Sequence, residues 1–197
     1  MNELERQARR QRRRKRRRIA IIGFIVLSLG MAWFFELQAT TTVIVTRHVN
    51  EVSLGGSNPG VNQAGQERAR ELARVLGNID VVVGVDAIFT EGIKRSRETI
   101  VPLSMNNDAP VHTIGHPDDP EAVVSRILRK YKGKIILVVI SAEYIPSLIR
   151  KMQGSKKVPD IAADEYDNLY IVTIPWFGKV KTLRLRYGLP YQPVPEA

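Results

Sequence analysis

The stretch Thr41-Thr42-Val43-Ile44-Val45-Thr46-Arg47-His48 decides how this chain folds. Its first six residues are all Thr, Val or Ile, with no alternation of apolar and polar positions. A β-branched run of that kind is the pattern of a strand buried on both faces, as in parallel sheets covered by helices on each side. It stops at Arg47-His48. Function in an open parallel sheet is expected at the carboxyl ends of strands near a topological switch, so these two side chains are the first candidates for chemistry.

Reading onward, a loop with Gly55, Gly56, Asn58, Pro59 and Gly60 leads to Asn62, which can cap a helix. In that helix Ala69, Leu72, Ala73 and Leu76 recur at helical spacing, and Gly77 stops it. A second apolar run, 81–89, includes a short strand ending at Thr90, and Lys94 to Met105 reads as a helix beginning with Arg95, Arg97 and Glu98. A Pro- and Asp-rich loop is expected to carry His112 and His116. Asp119-Pro120 then opens a helix with Val124, Ile127, Leu128 and Tyr131 on one stripe and Gly133 as terminator. Ile135 to Ile140 is another continuous apolar strand, followed by a turn over Ser141 to Tyr144 and a short helix bearing Ile145, Leu148, Ile149 and Met152.

Strands alternating with helices predict an α/β, three-layer sandwich with a mostly parallel sheet. The end differs in kind. Tyr170 to Pro175 and Lys179 to Tyr187 surround Phe177-Gly178, and Arg184 and Arg186 alternate with Leu183, Leu185 and Tyr187, which predicts a half-exposed hairpin at a sheet edge. Residues 189–197 read as a loose, Pro-rich tail. The globular domain is therefore expected over 41–188.

Upstream of the strand, the 17 residues from Ile19 to Phe35 contain no charge and are rich in Ile, Val, Leu and Phe. As a helix they would be roughly 26 Å long, the short end of what crosses a bilayer's hydrocarbon core. The segment 19–37 is thus expected to be a transmembrane anchor lying in the lipid bilayer. Arg and Lys flank only its N-terminal side, so the positive-inside rule keeps 1–18 in the cytoplasm and sends the domain to the outer side, periplasmic or extracellular. A cleaved signal peptide has a shorter head and a shorter apolar run, and Leu37-Gln38-Ala39 is a mediocre cleavage site. A buried core helix is apolar along one stripe, whereas this run is apolar on all faces.

The chain has 197 residues, a net charge of +10 and 44% apolar content. That content can bury a core, and the absence of Cys excludes a disulfide scaffold or a thiolate metal site. Residues 1–18 hold ten of the 30 basic side chains and two of the 20 acidic ones, so they carry +8 and the rest of the chain only +2. The basic character belongs to a tail beside the membrane, where attraction to anionic lipid headgroups accounts for it, and no nucleic-acid partner is expected.

Three strand ends carry unusual groups: Arg47-His48, Thr90-Glu91 with Arg95 close behind, and Ser141-Ala142-Glu143. Guanidinium forks bind phosphate oxygens bidentately, and a neutral imidazole can attack phosphorus to give a phosphohistidine that water hydrolyses. A lone His at a strand end serves structure more often than catalysis, and spacing alone leaves both open.

With these residues in view, the chain resembles the histidine phosphatases of the phosphoglycerate mutase superfamily. Val45-Thr46-Arg47-His48 is similar to that family's Arg-His signature, and 62–69 to its first helix. The stretch 89–99 is similar to the part carrying its second phosphate-binding arginine, 138–146 to the strand and turn with its second histidine, and 166–188 to its closing hairpin. The resemblance implies His48 as the phosphate-accepting nucleophile and Arg47 and Arg95 as phosphoryl ligands; Glu91 is the nearest candidate for a general acid, and a helix-entry carboxylate has the same look. Where the family has Gly-His-Ser, this chain has Ile140-Ser141-Ala142, so Ser141 stands in the place of the second histidine and would face the phosphate with a neutral donor. Val49 follows His48 where a small residue is usual. Losing one preorganised donor typically costs on the order of 10²–10³ in rate. Glu143 either faces the pocket, where its charge would repel a phosphate, or lies on the surface of the turn.

The expectation is a membrane-anchored phosphomonoester hydrolase acting on a small phosphorylated molecule, weakened by the missing histidine. The alternative is a degenerate domain that binds phosphate, another anionic ligand or a protein without turnover. No cofactor or metal is implied, because the Arg pair supplies the positive charge a cation would otherwise bring.

Overall fold

The computed structural model describes residues 3–36, 40–52, 56–78, 84–115 and 118–188. The chain divides into two compact units, Met1–Ala39 and Thr40–Ala197. The first is one helix, α1 (Glu3–Glu36). The basic tail and the apolar run are thus continuous helix, since Arg, Lys, Gln and Glu are good helix formers and nothing between Arg9 and Phe34 breaks the ladder. The part Arg12–Phe34 is long and apolar enough to cross a membrane.

The second unit is built on six strands: β1 (Thr41–Arg47), β2 (Ala87–Glu91), β3 (Val111–Ile114), β4 (Ile135–Ile140), β5 (Asn168–Ile174) and β6 (Lys181–Arg186). They lie in the order β3-β2-β4-β1-β5-β6. The first four pair in parallel, and β5 and β6 form the antiparallel hairpin at one edge. Four helices cover the sheet: α2 (Gln63–Gly77) and α3 (Lys94–Ser104) on one face, α4 (Pro120–Lys130) and α5 (Ile145–Lys151) on the other.

The double burial of β1 and β4 explains their unbroken apolar runs. Val43, Val45, Ile136, Val138 and Ile140 pack with Val124, Ile127, Leu148 and Ile149 of α4 and α5. Their neighbours Ile44, Leu137 and Val139 pack on the opposite face with Leu72, Leu76, Ile100 and Leu103 of α2 and α3. Each fully buried side chain of this size contributes roughly 1.5–3 kcal/mol, so the two clusters make the sheet a rigid base for the groups at its carboxyl edge.

One expectation is corrected. His112 does not lie in a loop: Val111–Ile114 is β3, a four-residue edge strand parallel to β2. The alternation of exposed and inward positions in Val-His-Thr-Ile suits an edge. His112 Nε2 is hydrogen-bonded to the Tyr131 hydroxyl and its ring stacks near Phe89, so it serves packing. His116, Gly55 and the tail 189–197 lie outside the described residues.

Two glycines and a cap fix the chain at the two ends of β1. Gly133, in the left-handed region at φ 76°, ends the turn after α4 and donates its N–H to Thr41 Oγ1 at 2.9 Å. Asn62 caps α2 by accepting from Gly65 N at 2.8 Å, while its own N–H donates to the Asn50 carbonyl at 3.1 Å. The segment after His48 is thereby pinned to the start of α2. A Cβ on Gly65 would lie 2.2 Å from the Asn50 carbonyl oxygen and 2.5 Å from Val61 Cγ1. Gly65→Ala is expected to destabilise the fold by about 1–3 kcal/mol, checked by the denaturant midpoint.

Candidate active site

The site grows from the end of β1. Because β4 and β5 hydrogen-bond to both edges of β1, its last residue and the one after it emerge at the top of the sheet with little freedom. Arg47 and His48 are 6% and 3% exposed. The next residue, Val49, is fully buried, and its N–H donates to Thr99 Oγ1 at 3.1 Å, while Thr99 Oγ1 donates to the Arg95 carbonyl at 2.7 Å. Val49, which stands where a small residue is usual in the family the chain resembles, is accommodated in the core, and one threonine couples the end of β1 to the first turn of α3.

His48 is held at both ring nitrogens. Nδ1 stands 3.1 Å from the Val49 carbonyl, which can only accept, so the proton sits on Nδ1 and Nε2 carries the lone pair. Nε2 accepts from Arg95 Nε–H at 3.0 Å. The same Arg95 nitrogen is 2.9 Å from Glu51 Oε2. Its single hydrogen points at His48, so Glu51 is held by charge rather than by a hydrogen bond. Burial pushes the His48 pKa down from 6.5 to about 4, against the pull of the Val49 carbonyl and with help from the Arg47 and Arg95 charges.

Arg47 is equally constrained. Its Nη1 donates to the Ala162 and Ala163 carbonyls at 3.0 and 2.9 Å, with the Glu165 carbonyl at 3.3 Å. Its guanidinium lies 4.0 Å over the Tyr166 ring. Burial lowers its pKa below the usual arginine value. Its Nε is buried with no acceptor, an orphaned cationic donor. The carbonyl cradle is fixed in turn by Arg186, which makes a bidentate contact with buried Asp167 at 2.8 and 2.7 Å and reaches Glu165 Oε1 at 3.0 Å.

Arg47, His48 and Arg95 line one cleft of about 480 Å³, together with Glu51, Ala142, Glu143, Pro146, Asp160, Ile161 and Ala163. Glu143, left between pocket and surface by the sequence, is exposed and borders this cleft. Glu91 and Ser141 go elsewhere. Ser141 donates both its N–H and its hydroxyl to Glu91, at 2.7 Å to Oε1 and 2.8 Å to Oε2, and both residues are buried. Ser141, expected to face a phosphate, spends its hydroxyl proton on Glu91, and Glu91, expected as general acid, accepts on both oxygens.

Several contributors escape a reading of local sequence. Glu51, Asp160 and the carbonyls of 162–165 come from loops without a periodic signal. Thr99 had a local mark, four residues after Arg95 on the same helix face.

A six-stranded sheet in this order, with an Arg-His pair ending its central strand, is an α/β sandwich of the phosphoglycerate mutase type. Comparison with solved structures agrees. The chain superposes on the protein histidine phosphatase SixA complexed with tungstate with a TM-score of 0.60 at 13% identity, covering 74% of this chain and 96% of that one. Phosphoglycerate mutase from Plasmodium falciparum gives 0.56 at 17% identity, covering 81% and 99%. Mycobacterial glucosyl-3-phosphoglycerate phosphatase gives 0.52 at 12% identity, covering 68% and 90%. No family model and no curated protein matches the sequence. At these identities the likeness is one of fold.

The depressed pKa of His48 has a consequence for stability. Between about pH 6.5 and 4 the unfolded chain binds a proton that the folded imidazole refuses. Stability from this group is therefore complete above about 6.5 and falls as the pH drops, by on the order of 3 kcal/mol at pH 4. Chemical denaturation at stepped pH should show this loss in the wild type, and His48→Gln should flatten that part of the curve.

Proposed function

We propose that the domain binds the phosphoryl group of a small phosphomonoester between Arg47, His48 and Arg95, and that His48 takes it up slowly as a phosphohistidine. The observation that supports this reading is the Nδ1–H to Val49 carbonyl contact. It keeps the Nε2 lone pair turned toward Arg95 in the cleft, and burial keeps the ring neutral at physiological pH. Nε2 attacks phosphorus, the bond to the ester oxygen breaks, and the alkoxide takes a proton from water. A second water then attacks the phosphohistidine, releasing inorganic phosphate and the free imidazole. The step requires Arg95 to turn its Nε–H from His48 to a phosphoryl oxygen, while Arg47 offers its orphaned Nε–H.

Slow turnover follows from the remainder of the site. Ser141 holds no free hydroxyl proton for the phosphate, and Glu51, Glu143 and Asp160 bring carboxylates to the same cleft. A second reading, phosphate or anion binding without turnover, is favoured by the closed Glu91–Ser141 pair, which commits the expected general acid to accepting hydrogen bonds.

We read α1 as a single-pass anchor, with residues 1–18 on the cytoplasmic side against anionic headgroups and 41–188 on the outer side. The uncharged run from Ile19 within the candidate span Arg12–Phe34, and the one-sided basic flank, support that placement.

The test uses the full chain in detergent with p-nitrophenyl phosphate. Slow hydrolysis that His48→Ala abolishes is expected, and a rate unchanged by His48→Ala sinks the phosphohistidine. Absence of turnover, with phosphate raising the melting temperature of the wild type but not of Arg95→Ala, establishes the binding reading.

A further inference from the structure

The cleft carries more negative charge than a phosphoryl site calls for. Its lining holds two cations, Arg47 and Arg95, and three carboxylates, Glu51, Glu143 and Asp160. His48 is neutral at physiological pH, so the negative charges outnumber the positive ones by one before any ligand enters. Glu51 has a counter-ion, Arg95 Nε at 2.9 Å. Glu143 and Asp160 are exposed, and among the described residues neither makes a salt bridge or a side-chain hydrogen bond. Glu143 is nevertheless close enough to act on the arginine that ends β1. Burial lowers the Arg47 pKa, and Glu143 is among the groups that pull it back up.

A dianionic ester with a plain tail meets uncompensated negative charge in such a cleft. An ester that brings its own cation does not, because each end of it then has a counterpart. At one end the buried Arg47 Nε–H lacks an acceptor, which a phosphoryl oxygen supplies. At the other end two exposed carboxylates can take a cation with little loss of hydration. Pro146 and Ile161 line the same cleft and offer apolar surface to the carbons between the two charges. A volume of about 480 Å³ admits a molecule of that size.

We propose that the cleft selects a zwitterionic phosphomonoester, the phosphate of a small amino alcohol, with its phosphoryl group on Arg47, His48 and Arg95 and its ammonium against Glu143 and Asp160. This rests on reading the cleft as a phosphoryl site and names the kind of ester it takes. A phosphorylated carboxylic acid is disfavoured for the same reason, since it sets a further negative charge beside the two free carboxylates. Exposed ion pairs are individually worth a few-fold in affinity, so two of them set a preference of about tenfold.

Three esters of matched size vary the charge of the tail alone: O-phosphoethanolamine ends in an ammonium, n-propyl phosphate in a methyl group and phosphoglycolate in a carboxylate. Each is titrated into the full chain in detergent, with release of inorganic phosphate and the rise in melting temperature as readouts. Phosphoethanolamine is expected to act at concentrations about tenfold below those of propyl phosphate, with phosphoglycolate the weakest. Raised ionic strength should narrow that spread, and Glu143→Gln combined with Asp160→Asn should collapse it. Equal or reversed action of the three esters overturns the inference and leaves the phosphoryl site standing, and so does an order that the double variant keeps. Neither hydrolysis nor stabilisation with any of the three removes the phosphoryl site and the inference together.

Discussion

β1 is hydrogen-bonded on both edges, parallel to β4 and antiparallel to β5, and packed on both faces. Every group of the candidate site depends on that confinement. A strand with no free edge and no free face delivers Arg47 and His48 to fixed positions at the sheet's carboxyl end. The turn that follows is tied to α2 through Asn62 and Gly65 and to α3 through Thr99. The imidazole is then oriented by one carbonyl, a contact that selects the tautomer with its lone pair on Nε2.

Burial and charge work on that imidazole in the same direction. Desolvation disfavours the protonated ring, and two guanidinium groups add to the effect, so the His48 imidazole is held neutral. The two arginines differ in their own settings. Arg47 is locked by three carbonyls and the face of Tyr166, a scaffold maintained by the Arg186–Asp167–Glu165 network. Arg95 bridges His48 and Glu51, two partners from the loop side, and is the more adaptable of the pair.

The Glu91–Ser141 contact ties together the carboxyl ends of β2 and β4. The Glu91 carboxylate is buried and requires donors. The Ser141 N–H and hydroxyl both meet that demand. Likeness of fold therefore leaves open what the cleft's own donors and acceptors can do, and in this chain the Ser141 hydroxyl proton is committed to Glu91.

Sequence by itself determined the layered α/β architecture, the doubly buried strands, the caps at Asn62 and Asp119, and the presence of an apolar membrane-length segment. These follow from local periodicity and from short-range hydrogen bonding, which neighbouring residues specify among themselves. The convergence of Arg47, His48 and Arg95 was legible because strand ends in such a sheet point to one edge. Only tertiary structure decided that β3 exists as a short edge strand, that Glu51 and Asp160 share the cleft, and that Ser141 serves Glu91. Each of these depends on which distant segment supplies a donor, a charge or a pairing edge, and such pairings, 23 residues apart for β2 with β3 and 50 for Ser141 with Glu91, leave no mark in the spacing of side chains along the chain.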